Sequence, residues 1–270
     1  MANVADVNTI LHPLNITQIN CLLSYPKNEF CGLNITLESG NGTANNPYII
    51  KTLDQLNKVR YDLNAHYKLG ADIDLKDYEN WEPIGNNTNK FTGSLDGAGY
   101  TISNLNIDSD YNFVGLFGYS TGTLKNIKLE NVNVTGLSYT GALVGYNTGE
   151  IENIEVIGGK LQGLDRVGGI AGEQVGNSTS CIAKIDVEGR TYVGSMFGAK
   201  GNTTTLCYAT GNVKATGDTV GGLIGGGSGT IEKCYATGNV ESTGNIVGGL
   251  VGHASVTIKN SYATGNVKGI

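Results

Sequence analysis

Little in this chain can carry charge, hold a metal or cross a membrane. Charged residues are 16% of the 270, and 18 Lys and Arg against 24 Asp and Glu leave a net charge of −6 with no basic cluster. That balance argues against nucleic acid and anionic membrane as partners. Histidine occurs only as His12, His66 and His253, in unrelated surroundings. No His-Glu-x-x-His pair is present, so zinc-peptidase chemistry has no ligand set and no metal or cofactor is expected. No stretch of about 20 apolar residues is available to span a bilayer. Met1-Ala2-Asn3-Val4 shows neither the cationic nor the apolar region of a signal peptide, so a secreted protein is expected to have lost its leader. Beyond Asn64 no apolar run has helical spacing, which excludes helical repeats.

Glycine, at 41 residues, is abundant, and it is periodic. Gly118, Gly145, Gly172, Gly198, Gly225 and Gly252 close six similar phrases at spacings of 27, 27, 26, 27 and 27. Nine residues after each comes the column Ile127, Ile154, Cys181, Cys207, Cys234 and Ser261. Two further on comes the column Leu129, Val156, Ala183, Ala209, Ala236 and Ala263. So strict a period means one supersecondary unit stacked on copies of itself. Around the columns apolar and polar residues alternate at period two, as in Ile127-Lys128-Leu129 and Cys234-Tyr235-Ala236, which is the strand pattern.

A strand advances about 3.3 Å per residue, so 27 residues trace at most about 90 Å, one turn of a coil with about three short strands. The expected fold is therefore all-β: a parallel β-helix, or β-solenoid, with rungs of about 27 residues, right-handed by the crossover rule. Glycine is expected to supply the corners that need positive φ. The inward columns shrink from Ile/Leu to Cys/Ala and Ser/Ala, which predicts repacking toward the C-terminus.

Three regions are expected. Residues 1–39 form an N-terminal extension, a cap or a donor strand. Residues 40–107 form an entry module, in which Thr52-Leu53-Asp54-Gln55 reads as a capping box and Leu53, Leu56, Val59 and Leu63 predict a helix of about 12 to 15 residues as a lid. Residues 108–270 form the repeat solenoid. Between the inward columns runs an outward one: Lys128, Glu155, Ile182, Tyr208, Tyr235 and Tyr262. Its three tyrosines, about 4.8 Å apart, read as an exposed stripe, either a stacking ladder or an adhesive strip for sugar or protein. Cys181, Cys207 and Cys234 read as a ladder of small buried thiols, and Cys21 with Cys31 as a disulfide pair. Asp72 and Asp74 could share a strand face as acid and base, but Asp108, Asp110 and Glu130 complete no such pair, so no catalytic residue is assigned. Seven Asn-x-Ser/Thr sequons, at Asn15, Asn34, Asn41, Asn86, Asn133, Asn177 and Asn202, give weak support for glycosylation.

Val247-Gly248-Gly249-Leu250-Val251-Gly252, followed by Thr257-Ile258-Lys259-Asn260-Ser261-Tyr262-Ala263-Thr264-Gly265-Asn266-Val267, resembles the GLUG-motif repeats of microbial surface proteins. Gly40 to Gly85, with Ala71-Asp72-Ile73-Asp74-Leu75 and Trp81-Glu82-Pro83-Ile84-Gly85, is similar to the entry module that often precedes them. The resemblance covers residues 40–270; the copies at Val114 and Val193 are degenerate, and the first 39 residues match nothing. It implies a secreted or cell-surface, adhesin-like β-solenoid of a kind sometimes appended to immunoglobulin-cleaving metallopeptidases, and with no catalytic residue assigned the chain is expected to be non-enzymatic. The implied partners are host or neighbouring-cell protein or glycan. An alternative expectation is a filament subunit, in which copies of the chain pair end to end and the N-terminal segment of one completes the last rung of the next.

Overall fold

The computed structural model describes residues 39–269. The expectations for residues 1–38, including the Cys21–Cys31 bridge and the donor strand, lie outside the described residues.

The chain is an all-β parallel solenoid of about seven turns with one short helix near its start. Each turn pairs in parallel with the next, and the register repeats the sequence period. Leu124 lies against Ile151, Ile151 against Ser178, Thr204 against Ile231 and Ile231 against Ile258. The single 26-residue step arises at a bulge, where the register between Ile151–Gln162 and Ile182–Gly189 shifts between Ile157 and Lys160. The rungs build two sheets. One contains the long strands Thr123–Thr135 and Ile151–Gln162; the other is a stack of Ser138–Gly141, Asp165–Gly168, Thr191–Gly194, Val220–Gly221 and Val247–Gly248.

The entry residues belong to the same coil. Tyr48–Ile50 pairs with His66–Leu69, which pairs with Ser94–Asp96, which pairs with Thr123–Thr135. The expected helix is much shorter than its apolar stripe suggested. Leu53–Asn57 is α-helical and Lys58–Tyr61 continues as a 3₁₀ turn. Thr52 caps it by accepting from Gln55 N at 3.3 Å, and Gln55 Oε1 reaches back to Lys51 N at 2.7 Å, so the capping box is real. The helix stops because Asp62 leaves helical space (φ −138°) and turns the chain toward the strand at His66. Leu63 consequently sits in the turn, whereas Leu56 and Val59 are fully buried.

Glycine does not make most of the corners. In successive rungs one corner falls on Asn126, Asn153, Ser180, Leu206, Lys233 and Asn260, all left-handed with φ between 49° and 56°. Asparagine suits that conformation and ladders with its neighbours: Asn153 Nδ2 donates to Asn126 Oδ1 at 2.9 Å, and Asn126 Nδ2 to Asp96 Oδ1 at 2.9 Å. The repeated glycines instead permit close approach. A Cβ on Gly238 would lie 1.9 Å from Gly211 O, and one on Gly265 1.9 Å from Gly238 O. The asparagine that follows each takes over capping: Asn239 N donates to Asn212 Oδ1 and Asn266 N to Asn239 Oδ1, both at 3.0 Å.

The inward columns are continuous. Ile127, Ile154, Cys181, Cys207 and Cys234 are fully buried, as are Leu129, Val156, Ala183, Ala209 and Ala236. Where the columns thin to Cys207 and Ala209, the same rung buries Met196 and Phe197, restoring volume to the core. In the last described rung Ile258 is 48% and Val267 47% exposed, while Ile231 and Val240 one rung earlier are buried.

Candidate functional surfaces

Tyr208 registers with Tyr235 and Tyr235 with Tyr262, so parallel pairing alone sets the outward stripe. The rings stack nearly parallel: centroids 4.7 Å apart at 4° for the first pair and 5.4 Å at 8° for the second. Stacking hides their faces, so Tyr208 and Tyr235 are half-buried and only Tyr262, at 55%, is exposed. Burial, and then the two neighbouring phenols, push the Tyr235 hydroxyl up from its ordinary value. Lys184 lies 6.0 Å from the Tyr208 ring centroid and pairs with Glu155 at 3.1 Å.

The three cysteines are reduced and buried, and they solve a problem made by the corner beside them. Each lies next to a left-handed residue, and its thiol donates to the carbonyl two residues back: Cys181 to Thr179 O at 3.3 Å, Cys207 to Thr205 O at 3.2 Å, Cys234 to Glu232 O at 3.2 Å. Each of two members also accepts from the preceding rung: Cys181 N donates to Cys207 Sγ at 3.3 Å, and Cys234 N to Ser261 Oγ at 3.0 Å. Ser261 Oγ repeats the bond to Lys259 O at 2.7 Å, which explains why serine occupies the column there. Burial raises the Cys207 thiol well above its usual value, and its hydrogen bond to Cys207 first, then burial, raises Cys234. Such thiols are poor nucleophiles. Cys207→Ser is expected to cost about 1 kcal/mol or less and Cys207→Val about 1 to 3 kcal/mol, because valine strands Cys181 N, while Thr205 O keeps Ser180 N as its donor. Urea midpoints of the two variants decide it, and equal losses would contradict this role.

A second buried polar column was not read from the sequence. Ser120, Asn147, Gln174 and Lys200 share one register and are all buried, with Gly227 next in line. Asn147 Nδ2 donates to Gln174 Oε1 at 2.8 Å, and Gln174 Nε2 to Gly149 O at 2.9 Å. Lys200 Nζ donates to Asn202 O and Ser228 O, and burial lowers its pKa to about 8. This column ties neighbouring turns together from inside the coil.

A cluster of aromatic and cationic residues was missed as well. At the corner opening the five-stranded stack, Phe113, Tyr139, Arg166 and Tyr192 take left-handed φ of 64°, 57°, 54° and 52°. Phe113 and Tyr139 stack at 4.8 Å and 16°, and the Arg166 guanidinium lies 5.0 Å from Tyr139 and 5.1 Å from Tyr192. Beside them Tyr119 and Tyr146 lie 4.7 Å apart, in register with Glu173, whose carboxylate pairs with Arg166 at 2.8 Å. The aromatics lie in the rungs whose repeat phrases looked degenerate and in the turn between them, and residue types differ along each column, so no periodic signal marked them.

The acidic residues considered for catalysis serve as hydrogen-bond acceptors that tie neighbouring turns together. Asp72 Oδ1 accepts from Thr101 N at 2.8 Å, and Asp74 Oδ1 from Asn104 Nδ2 at 2.7 Å; that bond holds the Asp74 carboxyl below its usual range. His66 Nδ1 lies 2.8 Å from Ser94 Oγ in the second rung, far in sequence from the exposed His253 of the last. Among the described residues no three His, Cys, Asp or Glu side chains are placed to hold a metal, and no helix is long and apolar enough to cross a membrane.

Parallel rungs, inward small-residue columns and repeated closing glycines define a β-solenoid repeat protein. Its last two rungs, residues 216–241 and 243–268, match the GLUG motif, and the chain carries GLUG repeats. It is similar over 106 residues, at 41% identity, to a protein of Evansella cellulosilytica named provisionally as a Gly-rich membrane protein, and over 115 residues, at 44%, to halomucin of Haloquadratum walsbyi. Each match covers 36% of this chain but only 12% and 1% of those relatives. Among solved structures, a Bacteroides ovatus protein described as a candidate immunoglobulin A1 protease superposes with a TM-score of 0.69 over 86% of both chains at 23% identity. A structure titled IgA1 Protease matches 82% of this chain and 20% of its own, with a TM-score of 0.57 at 18% identity. At these identities the likeness is one of fold.

Proposed function

We propose that this chain is a non-enzymatic, surface-displayed β-solenoid that works by adhesion, presenting side-chain ladders on its outer faces to protein or glycan of a host or neighbouring cell. The stacked stripe Tyr208, Tyr235 and Tyr262 carries the reading. Its phenols repeat at the rung spacing, and half-buried Tyr235, held between the other two rings, has no hydrogen-bond partner among the described residues, although buried phenols usually find one. Asp72 and Asp74 are engaged as hydrogen-bond acceptors, which supports binding over chemistry. Similarity to a relative named as a membrane protein supports a place at the cell surface.

The test is a glycan and host-protein array probed with the full chain and with Tyr235→Ala. Tyr235 is sandwiched between the other two rings, so its loss breaks the stripe. Hot-spot aromatics cost about 2 kcal/mol on truncation, about thirtyfold in affinity. An array hit unchanged by Tyr235→Ala would remove the stripe from the interface, and hydrolysis of any arrayed ligand would overturn the non-enzymatic reading.

A further inference from the structure

The corner seam around Tyr139 is dispensable to the fold, as the fold itself demonstrates. The closing glycines Gly145, Gly172, Gly198 and Gly225 abut the corner residue of the preceding rung: a Cβ on Gly172 would lie 2.5 Å from Tyr139 C, and one on Gly225 2.6 Å from Tyr192 C. That contact is with backbone and asks nothing of the side chain. One rung beyond Tyr192 the same corner is made by Thr219, at φ 67°. The neighbouring column likewise passes from Tyr119 and Tyr146 to Ala199 and Gly226 without interrupting the sheet. Left-handed backbone is disfavoured for bulky side chains, more so than for the asparagines that serve another corner. Three of four consecutive rungs therefore accept strained aromatic corners that the architecture does not require, and the remaining one places Arg166 between Tyr139 and Tyr192.

What those rungs present is specific. The rings of Tyr119, Tyr139, Tyr146 and Tyr192 are half-buried, and their hydroxyls have no hydrogen-bond partner among the described residues. Arg166 is neutralised by Glu173, whereas Lys90, 4.6 Å from the Tyr119 centroid, has no carboxylate partner among the described residues. The surface is amphipathic, crosses successive rungs about 4.8 Å apart, and carries one uncompensated positive charge at its head. Its strands are paired with rungs above and below, so no backbone edge is open for a peptide strand to add. Recognition here must go through side chains that offer ring C–H, hydroxyl and a cation.

We propose that this seam, Tyr119, Tyr139, Tyr146 and Tyr192 with Lys90 at its head, is the docking surface for an extended carboxylate-bearing polysaccharide lying along the solenoid axis. Successive sugars of such a chain advance by about one rung, their apolar faces meet the exposed ring edges, their hydroxyls pair with the phenols, and a uronate carboxylate meets Lys90. The proposal rests on the reading of the chain as a binding solenoid and names its ligand class.

The experiment is affinity electrophoresis and calorimetry of the full chain on polygalacturonate, with xylan as the neutral control. The double variant Tyr139→Thr/Tyr192→Thr copies the corner at Thr219, and circular dichroism confirms its fold; Lys90→Gln, on a half-buried surface lysine, is the second variant. Polygalacturonate is expected to bind, the double variant to weaken it at least tenfold, and Lys90→Gln to weaken it and flatten its salt dependence. Equal affinity for xylan, binding that survives both seam variants, or no polysaccharide binding overturns the assignment. In the last case array ligands lost with Tyr235→Ala would keep the adhesive reading alive without this seam. Polygalacturonate binding lost only with Tyr235→Ala would move the site to the stripe, and binding of proline-rich peptides in place of glycan would replace the ligand class.

Discussion

Gly172→Ala is expected to lower stability by on the order of 3 kcal/mol or more, although it adds a single methyl group. The added Cβ would lie 2.5 Å from Thr140 N and Tyr139 C and 2.6 Å from Tyr139 Cα. All three are backbone atoms in a corner already confined to left-handed φ, so nothing flexible can yield. Thr140 also pairs with Val167 in the five-stranded stack, and a shift there would unpair the next rung. Gly158→Ala supplies the contrast. Gly158 has φ +70° but meets nothing within 4 Å, so alanine there incurs only conformational strain, about 1 kcal/mol. Urea midpoints followed by circular dichroism compare the two; equal losses would show that corner crowding is not what conserves register.

Trp81→Ala is expected to cost about 3 to 5 kcal/mol. Trp81, 1% exposed and the only tryptophan, lies between the entry rungs and the repeats. Its backbone N donates to Asn106 O at 2.8 Å and its indole Nε1 to Leu116 O at 3.1 Å. Tyr78 packs against the ring at 5.1 Å, and Arg60, held by Glu82, lies 5.5 Å from its centroid. Truncation leaves a large cavity and takes from Leu116 O one of its two donors, Ile84 N remaining. Trp81→Phe keeps most of the apolar contact and should lose about 1 to 2 kcal/mol, the share of the indole N–H and the smaller ring. A thermal melt in which alanine and phenylalanine behave alike would assign the residue a minor role.

The rungs were legible because backbone pairing forces every turn to solve the same problem with the same residues. Gly238, Asn239 and Ala236 recur for reasons that act once per turn: close approach, a cap for the next amide, and a small inward side chain. The short helix was misjudged because Leu53, Leu56, Val59 and Leu63 mark burial, and burial at those spacings can be met by one α turn, one 3₁₀ turn and a loop. Corners were assigned to glycine because positive φ suggests it, yet Asn126, Ser180, Leu206 and Lys233 occupy them; the conformation is enforced by the rungs on either side. The thiol column was visible, but its hydrogen-bonding purpose depends on the amide of the preceding rung, as where Cys207 Sγ accepts from Cys181 N. Phe113, Tyr139, Arg166 and Tyr192 were invisible as a group because they share only a position, and a periodic search finds shared residue types.

The stacking of one turn on the next also sets how the molecule responds to tension. A rung stores 27 residues in a rise of about 4.8 Å, whereas the same chain drawn straight spans about 90 Å. A pull that peels one turn from the end therefore lengthens the tether nearly twentyfold relative to the rod it consumes, and each peeled turn leaves the remaining coil intact. The parallel ladders yield one after another, not all together. A solenoid of this build is a spooled line: stiff at rest, extensible under load, and able to rewind turn by turn when the load is released.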